Sequence, residues 1–323
     1  MSKHLVFSVI IPAFNSASYI GPCLSSVLAN GQETGYEIIV VDDGSSDGTV
    51  ETAKGMGARV IENTMGVRRT ISALRNAGAR SAGGEIFAFL DSDMLVPGDW
   101  LEKAKAFFSD GFMGGMGFTD RAPETAGWVG RTWGMRMYLK LDRPAEVGHL
   151  NGRDLFINKK VFDELGGFDE ELVTNEDKDL TMRIKRAGYG LRSLPEDRLY
   201  HLGYEKGLLE FIRKEFWRQG SSLAAAKKYG SSLRALRHPL LCAWHLLCFF
   251  CVTAALLIQA PAVAGTFLAA WFFPAAIITF TRVAFHMAPF SFPPLYFFLT
   301  FLRWNVAGMA LVSQLYSLAG KRQ

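Results

Sequence analysis

The chain of 323 residues has only four cysteines, Cys23, Cys242, Cys248 and Cys251, and no disulfide framework can be drawn from them. Three of the four share an apolar stretch with His245 at steps of three residues, a spacing that invites a metal or redox site. Steps of three drift around a helix, however, and the four side chains do not converge; small apolar residues of a membrane helix are the simpler reading. A large excess of one charge is also missing. The formal net charge is +4, and no basic patch interleaved with aromatics occurs, which argues against a nucleic-acid partner. Met1 to His4 run straight into a strand-like segment without the apolar core and cleavage site of a secretory signal, so the first domain is expected on the cytosolic side. Finally, no Gly-x-Gly-x-x-Gly follows the first strand-like run. Gly114, Gly115 and Gly117 have the wrong spacing, and a dinucleotide-binding reading lacks its fingerprint.

What is present is an alternation. Leu5 to Ile11 is β-branched and apolar, a buried strand, stopped by Pro12-Ala13-Phe14-Asn15. Ser16 or Ser18 can cap the helix that follows, whose apolar face is Tyr19, Ile20, Leu24, Val27 and Leu28. Tyr36 to Val41 is a second strand ending in Asp42-Asp43-Gly44-Ser45-Ser46-Asp47-Gly48, and Ala58 to Ile61 a third. A helix through Leu74 and Ala79 leads to a fourth strand, Phe87-Ala88-Phe89-Leu90, which delivers Asp91-Ser92-Asp93 at its end. Such a pattern predicts an α/β fold, a mostly parallel sheet flanked by helices. Ligands bind beyond the carboxyl ends of such strands, where the Pro12–Asn15, Asp42-Asp43 and Asp91–Asp93 loops all fall. Two carboxylates on one side of extended chain suit a hard divalent cation that also holds a diphosphate.

After Asp93 the alternation stops. Trp100 to Phe108 reads as a helix, 111–117 as glycine-rich strand or loop, and 125–141 as a helix with Trp128, Trp133 and Tyr138. Later, Thr174 or Asn175 can cap a helix whose first turn holds Glu176, Asp177 and Asp179; acids there favour the helix dipole whatever else they do. His201 by itself reads as a hydrogen-bonded residue.

Taken in order, these segments resemble the family 2 glycosyltransferases with the GT-A fold. The resemblance rests on Val9 to Asn15, Ile39 to Thr49, Arg75-Asn76-Ala77-Gly78, Gly84-Glu85-Ile86, Asp91-Ser92-Asp93, Gly166 to Glu170 and Glu176 to Leu180. It implies a nucleotide-sugar donor lined by Pro12, Ala13 and Asn15, with Asp43 on the base or ribose, Arg75 near the base or diphosphate, and Asp91 and Ser92 by the ribose. It further implies Mg²⁺ or Mn²⁺ held by Asp93 and Asp91, with His201 as an additional ligand, and Asp177 as the catalytic base of an inverting transfer. Phe14 stands where tyrosine is common, and Ser16-Ala17-Ser18 replaces an acidic residue often found there. The Gln-x-x-Arg-Trp signature of processive members is absent; Phe216-Trp217-Arg218-Gln219-Gly220 is a rearranged echo of it, which favours single-sugar transfer. A nucleotide-sugar-binding membrane adaptor without turnover is the alternative.

Beyond residue 238 charge nearly vanishes. The expected division is a GT-A domain over 1–205, a basic amphipathic interfacial linker over 206–238, and a membrane region over 239–323. Residues 240–258 and 262–281 are each long enough to cross a bilayer, and Gln259-Ala260-Pro261 joins them as a hairpin. Arg213, Lys214, Arg218, Lys227, Lys228, Arg234 and Arg237 before it, and Arg282 and His286 after it, put both hairpin ends on the cytosolic face. A third run, 294–318, contains Arg303, Asn305 and Gln314. It either spans, with Arg303 facing protein or water, or lies in the interface; spanning would leave Lys321-Arg322 outside, against the charge rule. A membrane region on a sugar transferase implies a membrane-associated acceptor: a polyprenyl phosphate, a lipid-linked sugar or a glycolipid.

Overall fold

In a computed structural model, the structure describes residues 6–31, 35–108, 113–138, 143–196, 198–219, 233–284 and 292–320. The chain divides into two compact units. The first comprises Met1–Glu124 and Leu141–Tyr204, the second Thr125–Lys140 and Glu205–Gln323.

In the first unit, β1 (Phe7–Ala13), β2 (Tyr36–Asp42), β3 (Arg59–Glu62) and β4 (Ile86–Leu90) lie parallel in the order β3-β2-β1-β4. The sheet continues antiparallel through β8 (Asp154–Asn158) to β6 (Met113–Phe118), then β9 (Gly190–Leu194) and the short β7 (Ala145–Glu146). A second two-stranded ladder pairs β5 (Met94–Leu95) with β10 (Tyr200–His201). The first-unit helices are α1 (Ala17–Leu28), α2 (Thr49–Gly55), α3 (Ile71–Ser81), α4 (Trp100–Phe108), α6 (Lys159–Glu164) and α7 (Glu176–Arg186).

Period-two alternation explains why both sheet faces are covered. On β1, Phe7, Val9 and Ile11 pack with Ile20, Leu24 and Val27 of α1 and Trp100 of α4. Ile10, between them, points the other way to Leu74 and Ala79 of α3. Each such fully buried side chain contributes roughly 1.5–3 kcal/mol. The fold expectation is met in its architecture, with one local difference. Pro12 does not stop β1, which runs on to Ala13. Pairing with β4 ends at Ile10, whereas pairing with β2 continues to Ala13↔Asp42, so Pro12 sits where one side of the strand needs no N–H donor.

Asp154 opens β8 inside this core. It accepts hydrogen bonds from Trp100 Nε1 at 2.9 Å and Phe118 N at 2.7 Å, and burial pushes its carboxyl up to about 7. A raised carboxyl favours the protonated form in the folded state. Its stabilising contribution is therefore complete below the ordinary carboxylate value and is lost as pH rises through about 7. Asp154→Asn should flatten the decline in thermal stability between about pH 4 and pH 7, by up to about 1.4 kcal/mol per pH unit. Thermal melts of both proteins across that range check this.

The second unit contains α5 (Trp128–Tyr138), the amphipathic α8 (Leu208–Arg218), and three long helices: α9 (Leu233–Leu257), α10 (Pro261–Ala284) and α11 (Phe292–Gly320). The last three are long and apolar enough to cross a membrane over Pro239–Leu257, Pro261–Thr281 and Phe292–Tyr316. Trp133 of α5 packs against Phe211 of α8 and Tyr296 of α11, at ring distances of 5.1 and 6.1 Å. Of the expected basic linker, 220–232 with Lys227 and Lys228 lies outside the described residues, as does His286.

Candidate active site

Three loops meet at the carboxyl edge of β1, β2 and β4, and side chains stitch them together. Asn15, held at φ 46°, donates its amide N–H to Ser45 Oγ (2.8 Å) and accepts Ser46 N–H on Oδ1 (3.0 Å). Ser16 N–H reaches Thr49 Oγ1 at 2.8 Å, and the Ser16 and Ser92 hydroxyls are 2.9 Å apart. The cap of α1 also comes from across this seam. Ser16 stands at the N-cap position but makes no side-chain cap bond; instead Asp47 accepts the Ala17 N–H at 3.0 Å. Thus Pro12–Asn15, the Asp43 loop and Ser92 form one assembly, as their shared edge predicts.

Within it, Asp43 is closed off. Its carboxylate is fully buried and accepts from Arg68 Nε, Asn63 Nδ2 (2.8 Å) and Arg69 N (3.1 Å). Arg68 lies over the Phe14 ring, 3.3 Å from its centroid. Contact between Asp43 and a donor base therefore requires Arg68 to swing out, and its half-exposed side chain has room to do so.

Arg75 of α3 joins two segments, at Asp91 and Glu176, that are 85 residues apart. Its Nη2 pairs with Asp91 Oδ1 at 2.9 Å and its Nη1 with Glu176 Oε1 at 2.7 Å, all but buried. Burial disfavours the charged guanidinium, but Asp91 and Glu176 outweigh it and raise its pKa. Burial together with the neighbouring Asp177 raises Glu176, and Arg75 opposes them. The first turn of α7 thus divides its acids. Glu176 holds Arg75, and Asp179 pairs with Arg183 at 2.7 Å. Asp177 accepts only amide N–H groups among the described residues, from Gly152 (2.8 Å) and Lys178 (2.7 Å). Asn175 is the N-cap residue, at φ 66°, yet makes no side-chain cap bond.

Asp93 faces His201, with Oδ2 3.1 Å from Nε2. Burial opposes its ionisation, but His201 and Arg153 hold Asp93 below its ordinary value. On the far side of the ring, Arg153 Nη1 lies 3.1 Å from His201 Nδ1. Arginine can only donate, so Nδ1 accepts and the ring proton sits on Nε2, toward Asp93. Arg153 is anchored in turn by Asp120 at 3.2 Å, and Asp120 also accepts the Tyr204 hydroxyl at 2.7 Å.

The donor chemistry at Asp91 and Asp93 fits a hard divalent cation: two carboxylates, each partly exposed, after one strand. Among the described residues no three His, Cys, Asp or Glu groups are already gathered as a metal cage. Ligation through His201 Nε2 is harder to accommodate. It would move the ring proton to Nδ1, opposite another donor, so Arg153 would have to withdraw toward Asp120.

Sequence reasoning passed over Arg153, Asp120 and two glycines. A side chain at Gly203 would collide with the Asp93 carboxylate, and one at Gly152 with the Arg75 guanidinium. The glycines let backbone close over charged groups, and no local pattern announces that. Cys23, by contrast, is a buried thiol under Asp91, pushed up by desolvation and not poised for chemistry.

Comparison with known proteins now bears on this geometry. The glycosyl transferase family 2 model matches residues 8–166. Glycosyltransferase AglE of Haloferax volcanii is 32% identical over 204 residues, 59% of this chain and 65% of that protein. Succinoglycan biosynthesis protein ExoA of Rhizobium meliloti is 26% identical over 195 residues, 56% of this chain and 58% of its own length. The chain thus spans less than two thirds of these curated relatives. Among solved structures, a mannosyltransferase from Pyrobaculum calidifontis, PcManGT, in complex with GDP-Man and Mn²⁺, shares the fold. Its TM-score is 0.62 at 21% identity, over 98% of this chain and 88% of that one. The ordered motifs, the sheet that carries them and the matching family model lead to one assignment: over residues 8–166 this chain is a glycosyl transferase family 2 domain.

Proposed function

We propose that the chain is a membrane-bound inverting glycosyltransferase that moves one sugar from a nucleotide-sugar donor to a hydroxyl of a membrane-associated acceptor. The observation that carries this is the Arg75 bridge, which fastens Asp91 to the turn that presents Asp177. Asp177 is the base. With amide donors and no ion pair among the described residues, its carboxylate stays available to take the acceptor's proton. Pro12, Ala13, Asn15 and Ser92 line the donor. Asp93 and Asp91 would hold Mg²⁺ or Mn²⁺, whose charge offsets that of the departing diphosphate. The GDP-Man and Mn²⁺ in the Pyrobaculum structure support this donor class and metal requirement. The three long apolar helices support a membrane-associated acceptor; the cationic residues flanking the first two spans argue for a family domain on the cytosolic face.

The test uses a panel of nucleotide sugars in thermal-shift titrations with Mn²⁺. One donor should stabilise the full-length protein with Mn²⁺ present and not with EDTA, and Asp93→Ala should abolish that stabilisation, measured against the variant's own unliganded melting temperature. Stabilisation that survives both EDTA and Asp93→Ala would remove the metal from the reading. Stabilisation by a donor without any turnover would favour the adaptor alternative.

A further inference from the structure

The contacts of α11 set its path. Its Phe297 and Phe301 lie on Phe272 of α10, at 5.9 and 4.6 Å between ring centroids. Phe301 and Trp304 face His245 of α9, and Asn305 accepts the Trp271 indole N–H at 3.1 Å. Further along, Trp304, Ala307 and Leu311 cluster with Cys242 and Leu241, and Gly308 lies close against Leu246 and the Cys242 carbonyl. From Phe297 to Leu311 a helix advances about 21 Å. Over that distance the partners on α9 do not advance toward its far end at Leu257. They move back, from His245 to Leu241. A helix crossing the bilayer alongside α9 would by Leu311 have reached partners ten residues further on.

A second observation comes from α8. Arg303 Nε pairs with Glu215 Oε2 at 3.0 Å, and Gln314 donates its amide to the Gln219 carbonyl. Phe211, one turn before Glu215, packs with Phe292, Tyr296 and Leu299. The short amphipathic helix and the residue after it therefore touch α11 at three levels, at Phe292–Leu299, at Arg303 and, through the Gln314 side chain, at Gln219. Glu215 is itself buried and shared with Arg218, which also pairs with Glu205 at 2.7 Å. On its open side α8 carries Arg213 beside Leu209, Phe216 and Trp217. A helix with that mixture belongs at the water boundary of a bilayer, and whatever lies along it belongs there too.

We propose that α11 does not cross the membrane but lies in one leaflet, across the base of the α9–α10 hairpin. Its exposed Met309, Val312, Leu315 and Tyr316 rest on the hydrocarbon of that leaflet. The chain crosses twice, and its C-terminus is on the same side as the start of α9. This rests on the reading of α9 and α10 as membrane spans.

The experiment places single cysteines in the full chain and labels sealed vesicles with a membrane-impermeant maleimide, before and after detergent, against the parent chain's background. Lys105→Cys reports the family domain, Ala260→Cys the hairpin turn and Gln323→Cys the terminus. Lys105→Cys and Gln323→Cys should label from one side, and Ala260→Cys only after detergent opens the other. Labelling of Gln323→Cys together with Ala260→Cys, opposite Lys105→Cys, would establish a third crossing and overturn the proposal. Labelling of all three from one side would show that the hairpin does not cross, and the membrane reading would fall with it.

Discussion

Asp177→Asn should lower the transfer rate by about 10²–10⁴-fold, the range for removing a positioned general base. The substitution keeps the shape and an oxygen able to accept the Gly152 or Lys178 N–H, but not the basicity. Asp177 has no ion pair among the described residues, so its loss strands no cation and the fold should hold. Donor affinity should stay within a few-fold of the parent, because the residue acts on the acceptor. Steady-state transfer alongside donor titration reads both. Full transfer by the variant would sink the assignment. Loss of turnover with equal loss of donor binding would place Asp177 in donor recognition instead.

The second large effect is on stability. Arg75→Met would leave Asp91 and Glu176 as buried or half-buried carboxylates without their shared cation. Breaking a buried pair from one side typically costs about 3–5 kcal/mol. For a unit of this size the melting temperature should fall by roughly 10 °C. Adding Glu176→Gln should restore part of the loss, since it removes the most buried of the two stranded charges. A double-mutant cycle on thermal melts measures that coupling. Additive effects of the two substitutions would mean that the bridge is not a stabilising unit.

Much of the first unit was legible because its strands are short apolar runs. Buried on both faces, β1, β2 and β4 read the same way in sequence and in structure, and the loops at their carboxyl ends follow from topology. The acidic start of α7 was equally visible, though not its division of labour. That division depends on partners far away in sequence: Arg75 is about a hundred residues from Glu176, and Arg183 holds Asp179. Local pattern is blind to such pairs. It also misplaced the α1 cap, which a residue thirty positions on supplies in place of Ser16. In the antiparallel half of the sheet the pairing was what local pattern left open: 111–117 reads as glycine-rich strand or loop, and the place of β6, Met-Gly-Gly-Met-Gly-Phe, between β8 and β9 makes it a strand.

The second unit is built from two stretches of chain that are far apart, and this sets an order for its assembly during synthesis. Helix α5 leaves the ribosome first, yet Phe211 and Tyr296, ring partners of Trp133 among the described residues, come later, the latter about half the chain on. At ordinary elongation rates that interval is on the order of ten seconds. During it, the residues on either side of α5 can complete the sheet, while the apolar face of α5 waits for the helices that will cover it.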